Sequence, residues 1–188
     1  MKIINKQNNS RMCLVGDLDN QLGLKASFYG LENGELAVTF TPIEQHQSYP
    51  GRMHGGISSA ILDETSRRVI MIDEPETWGV TVELSVKYNL PVPLEQPLTA
   101  IGRITRNNRR FFEGTGEIYL PDGSLAVSAA GKYLKLPIDR IADFDKQSKS
   151  GKWYIIKMTL WKSICLIKRK MNQRNPKTPS PLFIMEST

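Results

Sequence analysis

At 188 residues and 40 % hydrophobic content, the chain can bury one good core and leaves little room for a second domain. Its net charge of +6 is unevenly carried: Lys146 to Thr188 holds ten Lys/Arg against one acid, and Met1 to Asp145 holds fifteen against eighteen. A mildly acidic body argues against specific nucleic-acid binding. Cys13 and Cys165 alone argue against a disulfide framework, and no uncharged run reaches the roughly 18 to 20 residues of a membrane span.

The first twenty residues read as a polar lead-in without the apolar stretch of a signal peptide, so a cytoplasmic protein is expected. Residues 21–145 then carry the ordered pattern. Short apolar runs in LKASFYG and LAVTF flank Glu32-Asn33-Gly34 and predict a hairpin. From Gly55 to about Ile72, Ile57, Ala60 and Ile61 recur at spacings of three and four, with Leu62, Val69 and Ile70 alongside, which predicts one buried helix. Glu74-Pro75 ends it.

Beyond the helix, VTVELSVKYNL places Val80, Val82, Leu84, Val86, Tyr88 and Leu90 in alternation with polar residues, as in a long half-buried strand. The same period recurs at Leu98 to Ile104, Phe112 to Leu120 and Leu125 to Tyr133, separated by turn-forming stretches at Arg106 to Arg110 and Pro121 to Gly123. The expected architecture is α+β, with about six antiparallel strands curved around one helix. Residues 146–188 form a basic extension with an apolar-basic stretch and a Pro/Ser-rich end, read as partly disordered and open to weak contact with a membrane surface.

Chemistry-bearing residues concentrate at the helix. His54-Gly55-Gly56 stands at its mouth, where unpaired N–H groups and the helix dipole favour an oxyanion and glycine admits a close approach; two glycines can equally make a plain tight turn. Asp63 and Glu64 fall within the apolar run, where a carboxylate is costly unless paired or used. Glu64 has Arg67 and Arg68 at helical spacing and reads as paired. Asp63 has Arg67 four residues on, so spacing leaves it open between an ion pair and a site.

Gly55 and Asp63 are eight residues apart, about 12 Å along a helix at 1.5 Å per residue. One reacting carbonyl cannot touch both. If they act together, Gly55 of one chain must meet Asp63 of another, and the protein is at least a dimer.

The motif HGGISSAILDE, with Asp63 nine residues after His54, in this strand and helix order, resembles the hotdog-fold acyl-CoA thioesterases of the PaaI type, relatives of the 4-hydroxybenzoyl-CoA thioesterases, over about Met12 to Pro137. The resemblance implies a hotdog fold, in which the curved antiparallel sheet wraps one long central helix, a homodimer or tetramer, and hydrolysis of an acyl-CoA ester without cofactor; two cysteines and two histidines without zinc spacing predict no structural metal. It also implies that the Gly55 N–H polarises the thioester carbonyl, that Asp63 is nucleophile or general base, and that His54 positions, with Gly56 beside it. Many relatives carry asparagine six residues before the histidine, where this chain has Ser48. Arg103, Arg106 and Arg109, with Arg110, are candidate contacts for coenzyme A phosphates, or else the ordinary charges of a solvated hairpin. His46 reads as a solvated loop histidine. A hotdog dimer that binds acyl thioesters or lipids without turnover is the alternative.

Overall fold

In a computed structural model, which describes residues 2–9, 12–137 and 140–141, the chain forms one seven-stranded antiparallel sheet and one long helix. The strands are β1 (Ile3–Lys6), β2 (Ser27–Leu31), β3 (Leu36–Phe40), β4 (Thr77–Tyr88), β5 (Leu98–Asn107), β6 (Phe111–Tyr119) and β7 (Leu125–Pro137). They lie in the order β1-β2-β3-β5-β6-β7-β4. The helix α1 (Gly55–Arg68) runs into a 3-10 turn, Val69–Ile72. Six strands and the helix follow the expected order. The seventh strand, β1, falls in the lead-in, where four residues flanked by polar chain carry too little pattern to read.

One face of the sheet holds α1. Phe28, Leu36, Val38, Phe40, Leu98, Ala100, Ile118 and Val127 close over Ile61 and Leu62, and all are buried. Burying each such side chain contributes about 1.5–3 kcal/mol, which anchors the helix to the sheet. The helix sits close because Gly102 and Gly116 are cross-strand partners beneath it. A Cβ on Gly102 would lie 2.7 Å from Val69 and 2.9 Å from the Thr65 carbonyl oxygen; one on Gly116 would lie 2.7 Å from Ser66 Oγ. A second, smaller apolar group, Leu31, Ala37, Ile101 and Tyr119, lies apart from this core.

The buried carboxylate Glu64 belongs to the structure of the fold. It accepts from Arg67 and Arg68, three and four residues on, and Arg68 is only 2 % exposed. Arg68 also stacks its guanidinium 4.3 Å from the Phe28 ring centre and donates to the Asn8 carbonyl oxygen at 3.0 Å, while the Gln7 side chain donates to the Arg68 carbonyl oxygen at 3.0 Å. This cluster ties the chain following β1 to the end of the helix. Burial would raise the Glu64 carboxyl, but the two guanidiniums outweigh it and hold it below its ordinary value.

The strand β4 departs from the expected alternation at one place with functional consequences. Its pairing with β7 slips between Thr81 and Glu83, so Val82 occupies a bulge and is 58 % exposed. Before the bulge Gly79 and Thr81 face the helix; after it Leu84, Val86 and Tyr88 do. A period-two reading of the strand therefore assigns Val82 inward and Thr81 outward, the reverse of the structure. The predicted tail, including its membrane-contact stretch, lies outside the described residues.

Candidate active site

The helix and β4 run side by side in opposite directions, and three side-chain contacts mark the ladder. Tyr88 Oη donates to the Gly55 carbonyl oxygen at 3.0 Å, Thr81 Oγ1 donates to Asp63 Oδ1 at 2.8 Å, and the Arg67 guanidinium lies 5.8 Å from the Trp78 ring centre. The strand thus holds both the Gly55 and the Asp63 positions of the helix.

At the helix mouth the residues divide the free N–H groups. His54 is the N-cap, in extended backbone, and its Nδ1 accepts from the Gly56 N–H at 2.8 Å. The Ile57 and Ser58 N–H groups turn back to the His54 carbonyl oxygen. Among the described residues nothing accepts from the Gly55 N–H, so one oriented donor stands at the positive end of a 14-residue helix. Here His54 caps the helix and leaves Gly55 as the donor. The Tyr88 ring lies over Gly55, where an added Cβ would sit in ordinary contact at 3.4–3.5 Å.

An open groove of about 370 Å³ meets this mouth, lined by Ser48, Tyr49, Arg52, Gly55, Tyr88 and Val92 among others. Its apolar walls and few polar groups suit a small-molecule acyl chain or linker. Arg52 and Tyr88 were not among the expected site residues: Arg52 stands in a turn with no periodicity to mark it, and Tyr88 reads from sequence as one more inward aromatic.

Asp63 lies two turns along the same helix and is half-buried. Burial raises its carboxyl above 3.8; the Thr81 hydrogen bond, the Arg67 charge and Tyr133 pull it down, and Glu64 pushes it up, with the balance upward. A carboxylate so placed is a better proton acceptor than one in water. Sequence spacing left Asp63 open between an ion pair and a site, and the structure gives Arg67 to Glu64 and Thr81 to Asp63.

The other expected residues fall elsewhere. Arg103 donates to Glu35 at 2.8 Å and also pairs with Glu117; Arg106 stands 3.8 Å from Glu113. The β5–β6 turn that carries Arg109 is tied through Asn107 to Glu74, beyond the far end of the helix from Gly55. Within one chain these arginines are not brought to the groove. His46 is buried, in contrast to the solvated histidine expected: its Nδ1 accepts from the Ile43 N–H at 3.1 Å and its Nε2 lies 2.8 Å from the Leu22 carbonyl oxygen. It pins two loops together. Among the described residues no group of His, Cys, Asp or Glu is placed to hold a metal ion, and no helix is long and apolar enough to cross a membrane.

Residues 50–127 match the family model of the thioesterase superfamily. Acyl-coenzyme A thioesterase 13 of Mus musculus is 26 % identical over 66 residues, which are 35 % of this chain and 47 % of that protein; the chain thus spans about half the length of the curated relatives it matches. A crystal structure of a thioesterase superfamily protein superposes with a TM-score of 0.59 at 31 % identity, covering 64 % of this chain and 62 % of the other. The structure of zebrafish thioesterase superfamily member 2 gives 0.55 at 19 % identity, covering 62 % of this chain and 85 % of that one, and so shows the shared fold. The matched segment contains Gly55, Asp63 and Thr81 and most of the groove lining, and the sheet around the helix is the hotdog arrangement: in its fold and over residues 50–127 the chain is similar to the thioesterase superfamily.

Proposed function

We propose that the protein is an acyl-CoA thioesterase of the PaaI type, hydrolysing an acyl-CoA ester to a carboxylic acid and coenzyme A at a composite site between two subunits. The observation that carries this reading is the unclaimed Gly55 N–H at the groove, on the same helix as the Asp63 carboxylate held by Thr81. Names of relatives support the substrate class. Two cysteines without a disulfide framework suit the reducing cytoplasm. The catalytic unit is residues 21–145 together with β1.

In this reading the thioester carbonyl oxygen accepts from the Gly55 N–H, and the acyl chain lies in the groove beside Tyr88 and Val92. Negative charge gathers on that oxygen as the carbonyl is attacked, and a donor already aimed at it costs no reorganisation. The partner's copy of residue 63 supplies the attack by one of two routes. As general base its carboxylate takes a proton from water, whose oxygen bonds to the carbonyl carbon. As nucleophile it bonds to that carbon directly, and water then cleaves the mixed anhydride. Either way the C–S bond breaks, and the departing thiolate takes up a proton. Single turnover in ¹⁸O-labelled water identifies the nucleophilic route when label appears on the Asp63 carboxylate, which requires water to cleave the anhydride at the Asp63 carbonyl; the general-base route puts label only in the product acid.

The assembly follows from β4. It is the last strand of the sheet, twelve residues long, with Val82 and Tyr88 each more than half exposed, and such an edge invites pairing with another strand. Gly55 and Asp63 are level with Tyr88 and Thr81 on the neighbouring strand. A two-fold axis near Leu84 and Ser85 sets Thr81 of one β4 beside the opposite end of the other, and so carries the Gly55 end of one helix to the Asp63 level of its partner. Cysteines at Val82 and Lys87 then crosslink two chains. Oxidised dimers on a denaturing gel are expected; monomer alone would overturn this register.

The arginines near the β5–β6 turn enter only if a further subunit brings them to the coenzyme. Substituting Arg52 by Ala should raise KM for the coenzyme A ester more than for a truncated thioester, because Arg52 is the cation that lines the groove. The reading as a whole is tested by thiol release from a panel of acyl-CoA esters. Turnover supports it; tight binding without turnover makes the protein an acyl-thioester binding module.

A further inference from the structure

Tyr133 is an unusual group to find behind a candidate catalytic carboxylate. It is fully buried, stacks on Phe112 with ring centres 4.9 Å apart, and its hydroxyl makes no hydrogen bond in the structure. Buried hydroxyls without partners are uncommon and costly. The place of this one is set by Gly131: a Cβ there would lie 2.2 Å from the Tyr133 hydroxyl, so only glycine lets the ring fold back along β7 beneath the helix.

The strand register puts Tyr133 beside the site. Tyr133 is the direct cross-strand partner of Thr81, the residue whose hydroxyl holds Asp63 Oδ1. Asp63, Ser66 and Arg67, all on the same helix, are the polar side chains that act on the phenol, and Ser66 Oγ is likewise buried without a partner. Thus two adjacent positions on two paired strands carry hydroxyls, and one of them is already bonded to the Asp63 carboxylate.

We infer that Tyr133 is a positioning residue for Asp63: its hydroxyl is the second donor to the carboxylate, closing on it from β7 as Thr81 does from β4. The inference rests on the proposed thioesterase reading for its catalytic meaning; the contact rests on the strand register and on the buried, unpartnered hydroxyl. Burial and the neighbouring Asp63 charge push the phenol far above its ordinary value, so it stays a donor at any working pH. The other charged groups acting on Asp63 are Arg67 and Glu64, both on α1 and already engaged with each other. Two fixed donors orient the carboxylate and oppose the rise that burial imposes.

The test is Tyr133→Phe, which removes one oxygen from a packed ring. Asp63 is followed directly by carboxyl ¹³C NMR, its resonance assigned by its loss in Asp63→Asn. The expected result is an upward move of the Asp63 titration by about one pH unit, with kcat/KM about tenfold lower on the acid limb, an unchanged alkaline plateau and an unchanged KM. An unmoved titration overturns the inference. A 3-fluorotyrosine encoded at position 133, a stronger donor of nearly the same shape, should move the titration downward, and this reads the contact if the Phe variant does not fold. The NMR readout needs no turnover. A wild type without thioesterase activity would therefore sink the proposed function and leave this contact to be judged on its own.

Discussion

Placing a methyl group at Gly102 tests whether the close seat of the helix on the sheet holds the fold together. The added Cβ would meet Val69 Cγ2 at 2.7 Å, the Thr65 carbonyl oxygen at 2.9 Å and Thr65 Cγ2 at 3.0 Å, against ordinary contact of 3.4–4 Å. A valine side chain can turn aside, but a backbone oxygen cannot; the helix must lift by roughly half an ångström or more along a face where Ile61 and Leu62 are wholly buried. Overpacking of this kind costs about 1–3 kcal/mol. At about 2–4 °C per kcal/mol for a chain of this size, Tm should fall by about 2–12 °C. The assay is thermal unfolding of Gly102→Ala followed by circular dichroism, with Gly55→Ala as comparison, since the Cβ there meets Tyr88 only at ordinary contact distance. A Gly102→Ala variant as stable as the wild type would refute the close-seat argument.

The same Gly55→Ala variant should melt within about 1–2 °C of the wild type yet lose activity, because the methyl group, set against Tyr88, takes space at the groove mouth where a carbonyl must approach the N–H; equal kcat/KM would remove that donor from the mechanism. Glu64→Gln leaves Arg68 buried without its carboxylate and should cost about 3–5 kcal/mol, read as a lowered denaturant midpoint. Because the folded-state carboxyl of Glu64 lies below 4.5, its stabilisation is fully present above that value and is lost as pH falls through the folded one, so the cost of Glu64→Gln should shrink in acid. Asp63 has the opposite sign. Its folded-state carboxyl lies above 3.8, so ionisation destabilises the fold as pH rises through that window, and Asp63→Asn should be more stable than wild type at neutral pH. The acid limb of kcat/KM should likewise fall above 3.8.

The helix and six of the strands were legible because both periods are strong there: Ile57, Ala60 and Ile61 at helical spacing, and Leu98, Ala100, Gly102 and Ile104 at period two, all facing where the pattern places them. Glu64 was legible as an ion pair because Arg67 and Arg68 follow at the spacing that makes one. Three things were not. The strand β1 is four residues long and half its positions face solvent, so hydrophobic pattern says little, and long-range ties from Gln7 and Asn8 to Arg68 hold it. The bulge at Val82 inverts the facing of Thr81, and no local signal in VTVELSVKY marks it; register against β7 decides it. His46 was misplaced because a histidine in a short polar loop gives no hint that Leu22, far along the chain, will supply its partner. Spacing left Gly55 and Asp63 open and the family resemblance singled them out, while tertiary contact alone brings Thr81 and Tyr88 beside them.

If Asp63 performs the chemistry on an acyl-CoA ester, as proposed, the charge on its side chain is indispensable. Thiol release from a panel of such esters should be measured for the wild type and Asp63→Asn, which keeps the shape and removes the charge. Turnover by the wild type and a fall of at least about a hundredfold in the variant are expected, the range for losing a general base or nucleophile. Equal rates in the two proteins would contradict that role.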